Sequence, residues 1–309
     1  MAILVDTRPI PSDAIVAALR QLAPGEEVLT DPRSADPAKV EVLLAWRLAD
    51  GVAGRMPKLA LVCAPAAGVE KLLVAADLPP SIPVTRTVDP EQNTQIAQYV
   101  TLMALRHVRA LPLYEQQQRD RLWTRHPIAP AHSITAGVLG LGESGRVSAA
   151  MLDASGFKLA GWSRSPKTID GMQTFSGPDG LHRCLAVSQI VVCLLPLTAA
   201  TRHVLNRQTL ASLPRGAYLI NVARGGHLNE ADLLEAIAAG QLAGAALDVQ
   251  DAEPLPADSP LWQQPRLTIT PHIASNPRPG LVARQLLENL QRLRQGRPLL
   301  NQVDRTLGY

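Results

Sequence analysis

The feature that most restricts what this chain can fold into is a repeated alternation of short apolar, β-like runs with stretches of helical spacing. AILVD precedes Ala14 to Leu22, VEVLLAW precedes a turn, and LALVCAP precedes Gly68 to Ala75. From Ser133 the alternation restarts with ITAGVLGLG and runs through KLAGWS, QIVVCLLP, AYLINVA and AGAALDV to LTITPHIA. This is the pattern of parallel sheets with crossover helices, one in the first 90 residues and a second of five or six strands. Between them, Ile96, Val100, Met103, Leu105, Val108 and Leu111 predict an interdomain helix over Thr94 to Leu111. A second amphipathic segment, Leu281 to Leu293, is expected to return the chain to the first domain. The expected boundaries are therefore 1–98 plus 277–309 for a discontinuous domain, and 99–276 for the other.

A chain of 309 residues suits two domains of that kind, and 46% hydrophobic with 18% charged residues is a globular composition. The longest apolar run, Ile190 to Leu195, is too short to cross a bilayer, and MAILVD lacks the basic and apolar regions of a leader, so a cytoplasmic location and no membrane partner are expected. Cys63, Cys184 and Cys193 are widely spaced and sit in or beside apolar runs, as buried reduced thiols do. The net charge of +3 contains no block of like charge, and only 10 aromatic residues are present, which argues against a nucleic-acid partner. His107, His126, His132, His182, His203 and His227 share no ligand spacing with cysteines or carboxylates, so no metal is expected and these rings are read as solvated or satisfied.

Gly140-Leu141-Gly142-Glu143-Ser144-Gly145 follows the apolar strand ITAGVL and precedes the helical stretch Arg146 to Ser155, the context in which G-x-G-x-x-G binds a dinucleotide. Gly140 permits the tight turn, Gly142 the approach of a pyrophosphate, and Gly145 close packing of helix on sheet. A nucleophile elbow is excluded, because Arg146 stands where that pattern needs glycine. The next strand ends at Ser163-Arg164-Ser165, with Lys167 beyond, where an NAD-preferring site would place a carboxylate. Hydroxyls and cations there suit a 2′-phosphate, so NADPH is expected in preference to NADH. Leu195 and Pro196 after QIVVCL, and Val222 and Ala223 after YLIN, are further cofactor-contact candidates.

Arg224, Glu253 and His272 stand at or just past the carboxyl ends of later strands, where open α/β sheets place ligands. Reduction of a 2-keto acid needs a cation for the carboxylate and carbonyl, and a proton donor as hydride arrives. Arg224 and His272 can supply these, with Glu253 orienting the imidazole.

VLGLGESG, NVARGGHLNEADLLEAI, LDVQDAEPLP with Pro260-Leu-Trp262, and TPHIA together resemble the D-2-hydroxyacid dehydrogenase family. GWSRSPK and ITPHIA look most like its glyoxylate/hydroxypyruvate reductase A branch, and the resemblance runs to the tail Asn301 to Arg305. It implies an α/β architecture of two Rossmann/flavodoxin-like domains with parallel sheets, an active site in the interdomain cleft, and homodimerisation through the cofactor domain. It also implies that Ala67 and Gly68 offer N–H groups to the substrate carboxylate, that Asp248 lies near the nicotinamide carboxamide, and that Trp46 lines the substrate site. The chain departs from the family where Gln98 replaces the glutamate of IAEYV, and in the QDAEPL and HIASNPRPG loops. The expected activity is NADPH-dependent reduction of a small 2-keto acid, glyoxylate or hydroxypyruvate. The alternatives are a reductase of bulkier acids such as phenylpyruvate, an NAD-dependent phosphoglycerate-type dehydrogenase, or a non-catalytic dinucleotide sensor.

Overall fold

In each apolar run, successive side chains go to opposite faces of a sheet, and the runs are apolar throughout because both faces are covered. The computed structural model describes residues 2–8, 11–48 and 51–305. The chain divides into two compact units, residues 1–90 with 277–309 and residues 91–276.

The first unit contains β1 (Ala2–Asp6), α1 (Asp13–Leu22), β2 (Glu27–Leu29), β3 (Val40–Ala45), β4 (Leu61–Ala64), α2 (Glu70–Leu73) and β5 (Val84–Arg86). The second opens with α3 (Pro90–Val108) and α4 (Leu111–Arg119). It continues through β6 (Thr135–Leu139), α5 (Glu143–Ala154), β7 (Lys158–Ser163), β8 (Met172–Ser176), α6 (Gly177–Ala186) and β9 (Ile190–Cys193). It closes with α7 (Arg207–Ala211), β10 (Ala217–Asn221), α8 (Glu230–Ala238), β11 (Leu242–Leu247) and β12 (Leu267–Ile269). The chain re-enters the first unit through α9 (Pro279–Arg294).

The first sheet has the order β2-β1-β3-β4-β5, and every pairing within it is parallel. Leu4, Leu43 and Val62 face Val69, Leu72 and Leu78 on one side. Ile3, Val5, Val42 and Leu44 meet Ile15 and Leu19 of α1 and Val282, Leu286 and Leu290 of α9 on the other. Arg294 ties α9 to the sheet by reaching Glu26 at 2.5 Å and Glu41 at 2.6 Å. The short strands β2 and β5 carry too few apolar residues to announce themselves in sequence. The helix expected over Gly68 to Ala75 is only the single turn Glu70–Leu73.

The second sheet has seven parallel strands, in the order β12-β11-β10-β9-β6-β7-β8, rather than five or six. The unforeseen strand is β8, an edge strand of sequence MQTFS that lacks a run of apolar residues. From β6 the chain steps outward through β7 and β8 and then returns to the far side of β6 as β9, which makes the junction of β6 and β9 the switch point where such sheets bind ligands. The helix expected over 94–111 instead begins at Pro90 and stops at Val108. Ala110 adopts φ +52°, a left-handed conformation that breaks the ladder, and Pro112 sits in the first turn of α4, where a missing N–H costs nothing. The unit boundary accordingly falls at the start of α3 and not inside it at residue 98. The three cysteines are free and buried, and no helix among the described residues is long and apolar enough to cross a membrane.

Candidate active site and cofactor turn

At the switch point, Gly140 follows β6 with φ +103°, and a Cβ there would lie 2.6 Å from the Leu194 carbonyl oxygen. Only glycine lets the turn pass this close to the segment after β9. At Gly145 a Cβ would lie 1.9 Å from the Gly140 carbonyl oxygen, so its absence is what seats the first turn of α5 on the strand. Gly142 differs from both, because nothing lies within 4 Å of a Cβ built on it. The space in front of the first N–H groups of α5 is open, as a pyrophosphate requires. These glycines fit NADP(H), and the Lys167 ammonium beside them donates to the Leu141 carbonyl at 2.8 Å, placing a cation against the turn.

Two serine hydroxyls are committed elsewhere. Ser144 Oγ donates to Asn93 Oδ1 at 2.6 Å, and Ser163 Oγ donates to the Ser165 carbonyl at 2.8 Å. Ser163 is buried at the end of β7, which leaves Arg164 and Ser165 as the exposed members of the expected 2′-phosphate set. Leu195, Val222 and Ala223 are buried at the ends of their strands, and Pro196 is exposed.

Arg224 stands three residues past β10 in extended conformation, and its position is set by the buried Asn221 that ends the strand. Asn221 Nδ2 donates to the Arg224 carbonyl at 3.0 Å, and Asn221 Oδ1 accepts from the Ala223 N–H at 3.2 Å. His227 adds a second donor, its Nδ1 lying 3.1 Å from the same carbonyl. Because a carbonyl can only accept, Nδ1 carries the proton. The Arg224 guanidinium itself donates through Nη1 to the Ala223 carbonyl at 2.6 Å. Gly225 then brings this loop against the next one: a Cβ there would lie 1.9 Å from the Gln250 carbonyl carbon. That contact sets Arg224 beside the segment that carries Glu253.

Glu253 faces the imidazole of His272 with both oxygens 3.2 Å from Nδ1, and its Oε1 also accepts the Gln250 N–H at 3.3 Å. A carboxylate acceptor assigns the proton to Nδ1 and leaves Nε2 as the atom that can hand a proton outward. The two side chains are 30% and 19% exposed, so the pair is partly shielded but reachable. His272 has φ +56°, a conformation that costs an L residue roughly 1–2 kcal/mol. Asp248 offsets that cost. It is buried, its Oδ1 accepts from Thr270 Oγ1 at 2.6 Å and the Ile273 N–H at 2.8 Å, its Oδ2 accepts the Ala274 N–H at 2.8 Å, and its carbonyl accepts the His272 N–H at 2.8 Å. Through these contacts Asp248 holds the turn that presents His272.

In the first unit, Trp46 follows β3, with the Lys71 ammonium 5.8 Å from its ring centre. Ala67 and Gly68 lie in the turn between β4 and α2, and Thr87 supports the start of that turn by donating from N and Oγ1 to the Ala64 carbonyl and from N to that of Ala66. Sequence reasoning missed Asn221, Gly225, Thr270 and Thr87, and it read His227 as an unremarkable ring although it is fully buried and holds the Arg224 carbonyl. The only available signal was a polar residue at the end of an otherwise apolar strand, as at Asn221.

A family model for the NAD-binding domain of D-isomer specific 2-hydroxyacid dehydrogenases matches residues 101–274. The chain belongs to the D-isomer specific 2-hydroxyacid dehydrogenase family. This dehydrogenase is 39% identical over 305 residues to glyoxylate/hydroxypyruvate reductase A of Serratia proteamaculans, covering 95% of either chain. It is 37% identical over 284 residues, 90% of either chain, to the protein of the same name from Yersinia enterocolitica. Among solved structures it is similar to a family member from Xanthobacter autotrophicus Py2 in complex with NADPH and MES, with TM-score 0.90 and 41% identity over 100% of this chain and 99% of that one. It is also similar to the NADPH-dependent glyoxylate/hydroxypyruvate reductase of Sinorhizobium meliloti in complex with NADP and sulfate, with TM-score 0.92 and 32% identity over 100% of both chains. Membership makes the chain an NAD(P)-dependent oxidoreductase with the two-domain α/β fold of the family.

Proposed function

We propose that this dehydrogenase uses NADPH to reduce small 2-keto acids, glyoxylate and hydroxypyruvate, to the corresponding 2-hydroxy acids. The observation that carries the reading is the His272–Glu253 pair, with Glu253 on the loop that Gly225 brings against the segment of Arg224, at the carboxyl end of a sheet whose glycine turn fits a dinucleotide. The relatives named as glyoxylate/hydroxypyruvate reductases, and the neighbours that bind NADPH or NADP, support both substrate and cofactor.

Held at the turn of Gly140, Gly142 and Gly145, NADPH would supply the hydride for the carbonyl carbon. Arg224 binds the substrate carboxylate and draws electron density toward the carbonyl oxygen, so that negative charge developing there meets a fixed cation. The protonated imidazole of His272 delivers its Nε2 proton to that oxygen, completing the alcohol, while Glu253 retains the Nδ1 proton and keeps the ring in place. Ala67 and Gly68 are proposed to donate N–H groups to the substrate carboxylate, Trp46 to line its site, and Asp248 to contact the carboxamide. Arg164, Ser165 and Lys167 are proposed to meet the 2′-phosphate.

Initial rates of NADPH and NADH oxidation with glyoxylate, hydroxypyruvate, pyruvate and phenylpyruvate test the reading. Fast NADPH turnover with the first two is the expected result. Turnover with phenylpyruvate alone would move the substrate, and NADPH binding without any turnover would favour a sensor.

Two finer assignments belong with this reading. Leu102, Leu111, Leu113, Leu122 and Ile128 are exposed, and Trp123 is 99% exposed, which concentrates apolar surface on one stretch of the second unit. A second copy of the chain is the proposed occupant, giving a homodimer, and Trp123→Glu is expected to yield a monomer in light scattering. The free buried thiols suit a reducing compartment, and we place the enzyme in the cytoplasm, a location that cell fractionation checks.

A further inference from the structure

Tyr99 lies in α3, far in sequence from Arg224, Glu253 and His272, and its ring packs against the cluster of Val138, Val192 and Ile220 under the second sheet. Its hydroxyl is 2.6 Å from Thr270 Oγ1. The direction of that bond is determined. A threonine hydroxyl has one proton, and Thr270 gives it to Asp248 Oδ1 at 2.6 Å, so the proton between Tyr99 and Thr270 comes from the tyrosine. Burial pushes the Tyr99 phenol up to about 12, which keeps that proton in place across the working pH range.

We propose that Tyr99 is a positioning residue for His272, acting through Thr270 and Asp248. Tyr99 donates to Thr270, Thr270 donates to Asp248, and Asp248 accepts the N–H groups of Ile273 and Ala274 on its carboxylate and that of His272 on its carbonyl. The chain of bonds therefore pins the backbone on both sides of His272, the residue held at φ +56°. Nδ1 of His272 stands 3.2 Å from both Glu253 oxygens, a separation that a small rotation of the turn would open beyond hydrogen-bond reach. The proposal rests on the catalytic role given above to His272.

Tyr99→Phe removes the hydroxyl and keeps the ring, so it leaves the packing intact. In the full-length enzyme the expected result is a kcat lower by about tenfold, the scale on which misplacing a reacting group acts, with KM for NADPH and the melting temperature unchanged. Thr270→Val should match that loss, Thr270→Ser should restore at least half of the rate, and the Tyr99→Phe/Thr270→Val double variant should fall no further than Thr270→Val alone. A readout independent of substrate keeps this inference separate from the assignment of function: amide hydrogen exchange at Ile273 and Ala274 should quicken about tenfold in Tyr99→Phe as the opened turn loses its anchor. A kcat within twofold of the parent enzyme, losses that multiply in the double variant, or unchanged exchange at Ile273 and Ala274 would each overturn the proposal. A parent enzyme inactive on every keto acid, with faster exchange still seen in Tyr99→Phe, would remove the substrate assignment and leave the anchoring network standing.

Discussion

Two parallel sheets built on one plan share this chain, and they spend their polar residues in opposite ways. At the strand ends of the five-stranded sheet, Asp6 is neutralised by Arg8 at 2.6 Å, and β3 and β4 run into Trp46 and the small residues Ala66 and Ala67. The charges of that unit go into its frame: Arg294 grips Glu26 and Glu41, and Arg278 grips the buried Asp89 at 2.6 Å. In the seven-stranded sheet the strand ends carry Gly140, Ser163, Asn221, Asp248 and Thr270, and the loops beyond them carry Arg224, Glu253 and His272. Architecture thus supplies the same row of ligand-facing positions twice, and chemistry follows from which side chains occupy them.

The sharpest way to break this contrast is His272→Ala. It should lower kcat by about 10²–10⁴-fold with NADPH binding retained, as loss of a general acid does; retention of near-normal turnover would mean that the catalytic centre lies elsewhere.

A pair of glycine substitutions compares how tightly the two units are assembled. Gly225→Ala forces a methyl group into the backbone of Gln250 and should destabilise the protein by about 2–3 kcal/mol, with loss of activity. Gly54→Ala in the first unit meets only Asp77 Oδ2 at 3.9 Å and should change stability by less than about 0.5 kcal/mol. Thermal unfolding of both variants measures the difference.

Acid should also find the two units at different pH values. Burial lowers the His107 imidazole to about 4, and its neutral ring stacks on Tyr218 with centroids 4.1 Å apart. A depressed folded-state pKa means that this contribution is complete above the unfolded value near 6.5 and is lost as the pH falls toward 4, on the order of 2 kcal/mol. His107→Phe should flatten the stability profile between those values.

The cofactor loop carries a smaller effect. Arg164→Ala should reduce the preference for NADPH over NADH about tenfold, or 1.4 kcal/mol, through KM for NADPH alone.

The smallest effect is expected in the frame of the first unit. The Arg294 hydrogen bond holds the Glu26 carboxyl below its ordinary range, so that stability is present above about 4.5 and is lost as the pH falls below it. Solvent screens the Glu26–Arg294 pair, and Glu26→Gln should cost at most about 1 kcal/mol with kcat unchanged. A large fall in kcat would show that the frame is coupled to the chemistry.

Long apolar strands such as VEVLLA and IVVC were legible because burial on both faces demands unbroken apolar runs, and the glycine turn was legible because two close backbone approaches, at Gly140 and Gly145, and the open space at Gly142 call for three glycines at fixed spacing. The edge strand β8 was not, since none of its residues is fully buried and its composition is free to drift. The end of α3 at Val108 was not either, because it turns on the left-handed backbone of Ala110, which an alanine does not advertise.

The sequence by itself determined the class of fold, the dinucleotide turn, and Arg224, Glu253 and His272 as candidates, because each depends on residue type at a local position or on the ordered motifs of one family. Tertiary structure alone decided how those candidates are held. Asn221 and His227 reach the Arg224 carbonyl from either side, Gly225 admits the backbone of Gln250, and Asp248 gathers the turn around His272 with Thr270 and Tyr99 behind it. The physical reason is that, apart from the two local bonds to the Arg224 carbonyl, these contacts join residues 22 to 171 positions apart, and a contact across such a distance leaves no period or spacing in the sequence to read.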